Sequence, residues 1–370
     1  MIHIGIDYHK RSSHIVVMDD AGEVRWDGDM PSCRESFEAV KASLPPGEPV
    51  QSALEAGPNW GIPFDTLDEL GLGPKLSNPL KTKLIGESFV KTDKIDATAI
   101  ALMLRAGILP LVHVPLKEVR DQKNLLRHRS WLVKLRTALK NRIHALVDRN
   151  HAQPPEMTDL FGSHGRAWLN ALTLPDPDGK LLESDLELLD TTRLHVRQTE
   201  KWIDAELKAN AYIPILESMP GVGKLLAALI ALEVDTIDRF PTPEKFCSYS
   251  GLACSTFQTG GRGGKTFHGG LIPTCNRHLR YAFIEAAWTA ARVSPHFSAY
   301  YRRLRFAKSA QDSIPAVARK LCAIAWHCLK KRRDYIERPY LFKSGRPARA
   351  QSPVAAHVGI GGEETIKPSC

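Results

Sequence analysis

The chain has 370 residues, 43% hydrophobic and 25% charged, the composition of a globular protein of two or three domains. No run of about 18 apolar residues occurs, which excludes a membrane-spanning helix. The seven cysteines form neither a C-x-x-C pair nor a zinc-type Cys/His spacing and read as scattered reduced thiols, while the net charge of +9 fits a polyanionic partner without requiring one.

The start, MIHIGIDYHK, carries an acid inside its apolar stretch and lacks signal-peptide organisation, so a cytoplasmic location is expected. Residues 1–28 read as a strand meander. Ile2, Ile4 and Ile6 alternate and lead into Asp7, residues 14–18 are a second apolar run, Asp19-Asp20-Ala21-Gly22 is a turn signal, and residues 24–26 return. Residues 35–44 form a short helix closed by Pro45-Pro46-Gly47. Residues 50–54 are a fourth strand running into Glu55, residues 58–70 are helical, 74–77 a short strand and 93–106 a helix. Strands first, then alternation of helix and strand, argue for an α/β layer fold over residues 1–112.

Residues 113–212 have a different pattern. Leu125, Leu132, Leu139 and Leu146 fall seven apart with Leu135 and Ile143 beside them, which predicts a long helix of coiled-coil type over 116–150. Its other faces carry Lys117, Arg120, Lys123, Arg127, Arg129, Lys134, Arg136, Lys140 and Arg142, a stripe that serves equally as a solvated face or as a surface for a polyanion. A second long helix is expected at 181–210, on Leu182, Leu186, Leu189, Val196, Ile203 and Leu207, so that the two make an antiparallel hairpin arm.

Residues 213–336 form a third, mainly helical unit. MPGVGKLLAALIALEV places Gly221, Gly223 and Lys224 ahead of an apolar helix, in the manner of a helix-hairpin-helix element whose turn amides hold a DNA phosphate; an ordinary helix start after Pro-Gly is the alternative. A polar, Gly-rich stretch follows, with Gly260, Gly261, Arg262, Lys265, Arg277 and Arg280 as candidate phosphate contacts or as parts of a solvent loop. Helices are expected at 276–292 and 314–333, and the Pro/Gly/Ala/Ser-rich tail 337–370 is expected to be disordered.

The acids carry the chemistry. Asp7 ends the first strand, Glu55 ends the fourth, and Asp93 and Asp96 stand one helical turn apart at a helix start. The last pair has two readings: Asp93 caps the helix and Asp96 serves its dipole, or both reach one divalent cation. In a ribonuclease-H-like sheet the first and fourth strands are parallel neighbours, so their carboxyl ends sit side by side at the crevice where such sheets place ligands. Four carboxylates there would repel unless neutralised, and two Mg²⁺ ions about 4 Å apart would neutralise them. Magnesium is favoured because the ligands are hard oxygens with no nearby Cys or paired His. Lys91, just ahead of the acidic pair, joins the candidate nucleic-acid contacts.

Taken together, GIDYHK, LEAGPNW, NPLKTKLIGESFVKTDKIDATAIALML, MPGVGKLLAALIALEV, RFPTPEKFCSYSGL and GGKTFHGGLIPTCNRHLRYAFIEAAW resemble the insertion-sequence-110 family of DEDD transposases, in order and over about residues 2–335. The resemblance implies a RuvC-like nuclease domain with Asp7, Glu55, Asp93 and Asp96 as metal-binding catalytic acids, a coiled-coil arm and a C-terminal transposase domain. It also implies donor and target DNA as substrates, a structured guide RNA, and assembly as a homo-oligomer, dimer to tetramer. The family places a nucleophilic serine in a stretch like STxxSGG; this chain reads STFQTGG, so Thr259 stands in the serine's place and Ser255 is out of register. Thr259 is then the nucleophile, or the copy is impaired. The alternatives are a Mg²⁺-dependent nuclease resolving branched DNA and a non-catalytic DNA- or RNA-binding protein.

Overall fold

The computed structural model of the protein describes residues 1–85, 92–258 and 266–337. The chain divides into two compact units, residues 1–120 and residues from 121 onward.

The first unit is built on a five-stranded sheet in the order β3-β2-β1-β4-β5. Strands β1 (Ile2–Tyr8), β2 (Ser12–Met18) and β3 (Val24–Pro31) form the expected antiparallel meander, whereas β4 (Val50–Glu55) runs parallel to β1 and β5 (Pro74–Ser77) parallel to β4. The period-2 alternation sorts the strands' side chains onto two buried faces. Ile2, Ile4, Ile6, Ile15, Val17, Leu54 and Leu76 cluster with Phe37 and Val40 of helix α1 (Arg34–Ser43) and Leu67 of α2 (Gly61–Glu69). After α3 (Pro79–Ile85), helix α4 (Asp93–Arg105) covers the other face, where Val16, Met18 and Ala53 meet Ala97, Ile100, Ala101 and Leu104. A glycine makes that seat: a Cβ on Gly5 would lie 2.1 Å from the Ala97 carbonyl oxygen and 2.7 Å from the Ala101 nitrogen. The helix therefore lies directly on β1, closer than any side chain would allow.

The second unit contains the arm. Helix α5 (Lys117–Arg149) and, beyond α6 (Ser163–Ala171), helix α7 (Asp178–Glu206) are antiparallel: Arg149 pairs with Asp178, Arg142 Nε donates to Asp185 at 2.7 Å, and Arg129 Nε to Glu200 at 2.9 Å. Leu139, Ile143 and Leu146 interlock with Leu182, Leu186 and Leu189. The seam differs in detail from the heptad reading. Leu126 is buried where Leu125 was expected, and Leu135 is exposed, because an α-helix of 3.6 residues per turn drifts off a strict seven-residue repeat.

Helices α8 (Tyr212–Glu217), α9 (Lys224–Val234) and α10 (Pro243–Tyr249) lead to a two-stranded antiparallel hairpin, β6 (Cys254–Gln258) and β7 (Thr266–Leu271). The Gly-rich stretch thus carries paired strands, which its composition did not announce. Helix α11 (Arg277–Val293) buries an alanine face, Ala282, Ala286, Ala287 and Ala290, that packs against α9 and α13 (Ala310–Lys331). Between them α12 (Pro295–Arg305) starts a new direction, with Ser294 accepting a cap hydrogen bond from Phe297 N. The tail 338–370 lies outside the described residues.

Candidate metal centre and nucleic-acid contacts

The register of the sheet brings the first two acids together. Ile6 pairs with Leu54 across the parallel strands, so Asp7 and Glu55 follow at adjacent carboxyl ends, on the face that Gly5 and Ala53 share with α4. On the other side of β1, Asp7 is opposite His14, which is opposite Asp29, and Glu55 is opposite Ser77 on β5. A polar row, Asp29-His14-Asp7-Glu55-Ser77, therefore crosses the sheet. His14 Nδ1 and Asp29 Oδ1 are 2.8 Å apart, while His14 Nε2 and Ser77 Oγ are buried without a hydrogen-bond partner.

Helix α4 delivers the other two. Its N-cap is Thr92, whose hydroxyl accepts from Ile95 N at 3.3 Å, so the capping reading of Asp93 fails: a β-hydroxyl one residue earlier does that work. Asp93 and Asp96 occupy the first turn, over the end of β1. Asp7 Oδ2, Asp93 Oδ2 and the imidazole of His9 meet: His9 Nε2 lies 3.3 Å from Asp7 and 3.7 Å from Asp93. One ligand atom from each of these three residues lies within 4.8 Å of the others. Burial raises the Asp7 carboxyl above the usual range, attraction to His9 opposes this, and the charges of Asp93 and Asp96 raise it further. Asp96 thus acts on Asp7 through its charge, and Glu55 adjoins it by strand register. Lys94 turns away to pair with Asp27.

Two carboxylates and an imidazole at this spacing, beside two further acids, suit a divalent cation. The site gathers negative charge at the carboxyl ends of the interior strands β1 and β4, beside the N-terminus of α4. The expected hard oxygen ligands are joined by one imidazole, since the strand end turns His9 back toward Asp7. His9 was visible in GIDYHK, two residues from the acid; His14 and Ser77 gave no sequence signal, because only strand register aligns them.

The remaining candidates fall in the second unit or outside the described residues. Lys91, Thr259, Gly260, Gly261, Arg262 and Lys265 lie outside them. The Ser255 hydroxyl donates to the Gly270 carbonyl at 3.1 Å and is tied into the hairpin. Gly221 has φ 80°, and a Cβ there would lie 2.2 Å from the Ala286 carbonyl oxygen, so this glycine is required by packing against α11. Gly223 has open space where a Cβ would be, and Lys224 pairs with Asp204 at 2.8 Å. Arg280 donates to the Ile272 carbonyl and its guanidinium lies, like the Cys275 thiol, against Gly251, a structural engagement. Lys140 sits 4.5 Å over the Phe161 ring, and Arg127 reaches Glu233 at 3.5 Å. Lys134 and Arg277 line one groove of about 410 Å³ with Arg129, His278 and Tyr281, alongside the apolar Leu126, Leu225 and Leu229.

Comparison with known proteins agrees with this geometry. Residues 4–152 match a model for DEDD transposases of the IS110 type, and residues 213–302 match one described as "Transposase IS116/IS110/IS902 family". The chain is 27% identical over 309 residues to a "Probable family 20 transposase" of Pseudomonas aeruginosa, covering 79% of this chain and 86% of that protein. It is 25% identical over 339 residues to the "Transposase for insertion sequence element IS1111A" of Coxiella burnetii, covering 90% of each. The mixed sheet is accordingly a ribonuclease-H-like DEDD domain, followed by a mainly helical region. No helix among the described residues is long and apolar enough to cross a membrane.

Proposed function

The chain belongs to the IS110 family of transposases, DNA phosphoryl-transfer enzymes that bind DNA and use a divalent metal, and from that membership we propose how its residues divide the work. It exchanges DNA strands between the ends of an insertion sequence and a target. A RuvC-like domain, 1–112, an arm, 113–212, and a C-terminal domain, 213–336, act together in a homo-oligomer guided by a structured RNA in the bacterial cytoplasm.

Asp7, Glu55, Asp93 and Asp96 hold the metal, expected to be two Mg²⁺ ions. When bound, such ions neutralise the acids and draw charge from a phosphodiester. The Thr259 hydroxyl is the nucleophile. Its oxygen forms a bond to phosphorus as the bond to the leaving 3′-oxygen breaks, and the hydroxyl's proton passes to that oxygen. A 3′-hydroxyl from the other duplex then attacks the phosphothreonine, joins the strands and returns the threonine hydroxyl. Cations at Lys134 and Arg277, with Lys91, Arg262 and Lys265, hold the phosphate backbone. What supports this reading above all is the meeting of Asp7 with Asp93, under the charge of Asp96, beside the strand that ends in Glu55.

The test is an adduct assay with element ends and Mg²⁺. A protease-sensitive protein–DNA species, lost in Thr259→Ala and retained in Thr259→Ser, is expected. Cleavage that survives Thr259→Ala but not Asp7→Ala would replace this mechanism with that of a metal nuclease.

A further inference from the structure

The three donor atoms at the end of β1 are not all oxygens, and the histidine is held in place. The His9 carbonyl accepts a hydrogen bond from the Ser32 hydroxyl at 2.6 Å, and that hydroxyl is 2.6 Å from Ser13 Oγ, so strand β2 and the residue after β3 both brace it. Two residues further, the Arg11 carbonyl accepts from Ser32 N at 3.0 Å. The turn that carries His9 is thus anchored by its backbone, independently of the carboxylates that its ring faces.

The ring nitrogen sits between two carboxylate oxygens, at 3.3 and 3.7 Å. In a six-coordinate sphere with bonds of about 2.1–2.2 Å, neighbouring ligand atoms stand about 3 Å apart and opposite ones about 4.3 Å. The observed spacings need only a small closure to bind one ion. Nitrogen also changes the choice of ion: Mg²⁺ takes oxygen almost exclusively, whereas Mn²⁺ accepts imidazole readily and binds mixed N/O sites more tightly.

We infer that His9 is an additional metal ligand that makes one ion position of this centre select manganese over magnesium. The inference rests on the metal reading of Asp7 and Asp93 and goes beyond it by assigning the ion's identity to the imidazole.

The experiment is Mn²⁺ titration of the full chain, without a histidine tag, followed by pulsed electron paramagnetic resonance, with Mg²⁺ as competitor. Wild type should show nitrogen modulation on the bound Mn²⁺. His9→Gln should lose that modulation and about tenfold in Mn²⁺ affinity, with Mg²⁺ affinity changed much less. His9→Asp, which restores a hard ligand, should regain ion binding without the nitrogen signal and favour Mg²⁺. Absence of nitrogen modulation in wild type, its persistence in His9→Gln, or an equal fall in both affinities would overturn the inference. Asp7→Asn separates the two levels. If it leaves ion binding intact, the metal reading itself is wrong; if it abolishes binding while His9→Gln changes nothing, only the role of His9 is wrong. Circular dichroism of each variant identifies any loss of fold, and His9→Asp keeps the test decisive should His9→Gln misfold.

Discussion

Two carboxylate environments in this protein make opposite use of the same charge. In the second unit, Glu233 is buried within the apolar helix α9, yet Lys123 Nζ reaches it at 3.6 Å, Arg127 at 3.5 Å, and Asn276 Nδ2 donates at 2.8 Å. Asn276 in turn caps α11, accepting from His278 N and Leu279 N. In the first unit, Asp7, Asp93 and Asp96 crowd together with His9, and the protein leaves Asp7 with its carboxyl shifted upward. A buried acid supplied with cations and a donor amide is part of the scaffold. Acids gathered on one another, with one carboxyl raised by burial and by its neighbours' charge, form the kind of set that suits a divalent cation.

The comparison breaks first at the chemistry. Asp7→Ala or Asp93→Ala should lower strand exchange about 100- to 1000-fold while the fold is kept, measured with element ends and Mg²⁺ or Mn²⁺. Full activity in both would remove the metal centre from the mechanism. Glu233→Ala should do the reverse. Leaving Lys123 buried and unpaired costs about 3 kcal/mol or more, seen as a lower midpoint in chemical denaturation, and a midpoint equal to wild type would deny its scaffold role.

Gly5→Ala lies between the two effects. The added methyl meets α4 backbone, so a loss of about 1–3 kcal/mol is expected together with reduced metal affinity, because α4 must lift Asp93 and Asp96 off the end of β1. Retained affinity in a destabilised variant would show that the close seat serves packing alone.

The smallest effect sharpens the contrast. Burial and the neighbouring acids raise the Asp7 carboxyl, so its charged form costs stability in the metal-free protein. Above the raised value the folded state carries that charge and the cost is full; below the ordinary carboxylate range both states are protonated and it disappears. Asp7→Asn should therefore melt about 1–3 °C higher than wild type at neutral pH without metal, a gap that closes as the pH falls through the Asp7 range. A variant that melts lower at neutral pH would place Asp7 with the scaffold acids.

Periodicity carried most of the secondary structure. Alternating isoleucines marked β1, and the leucine repeat marked α5 within a residue or two at each end. Local chemistry was harder to apportion. Thr92 and Asp93 are both good caps, and only the backbone shows that the helix begins after the threonine. The basic stripe on α5 looked available, but pairing across the arm engages Arg129 and Arg142, and Glu233 engages Arg127. Those partners lie far along the chain, where spacing has no reach.

By itself the amino-acid order determined the strands of the first sheet, the two long helices of the arm and the acids near the ends of β1 and β4, because periods of 2 and 3.6 residues and strand-terminal position are local properties. Tertiary structure decided that His9 stands among the carboxylates, that Asp29, His14, Asp7, Glu55 and Ser77 align across five strands, and that Gly221 and Arg280 are held by packing. Those facts depend on register and on the closeness of backbones brought together by the hydrophobic faces, and register is a relation between segments that no single segment contains.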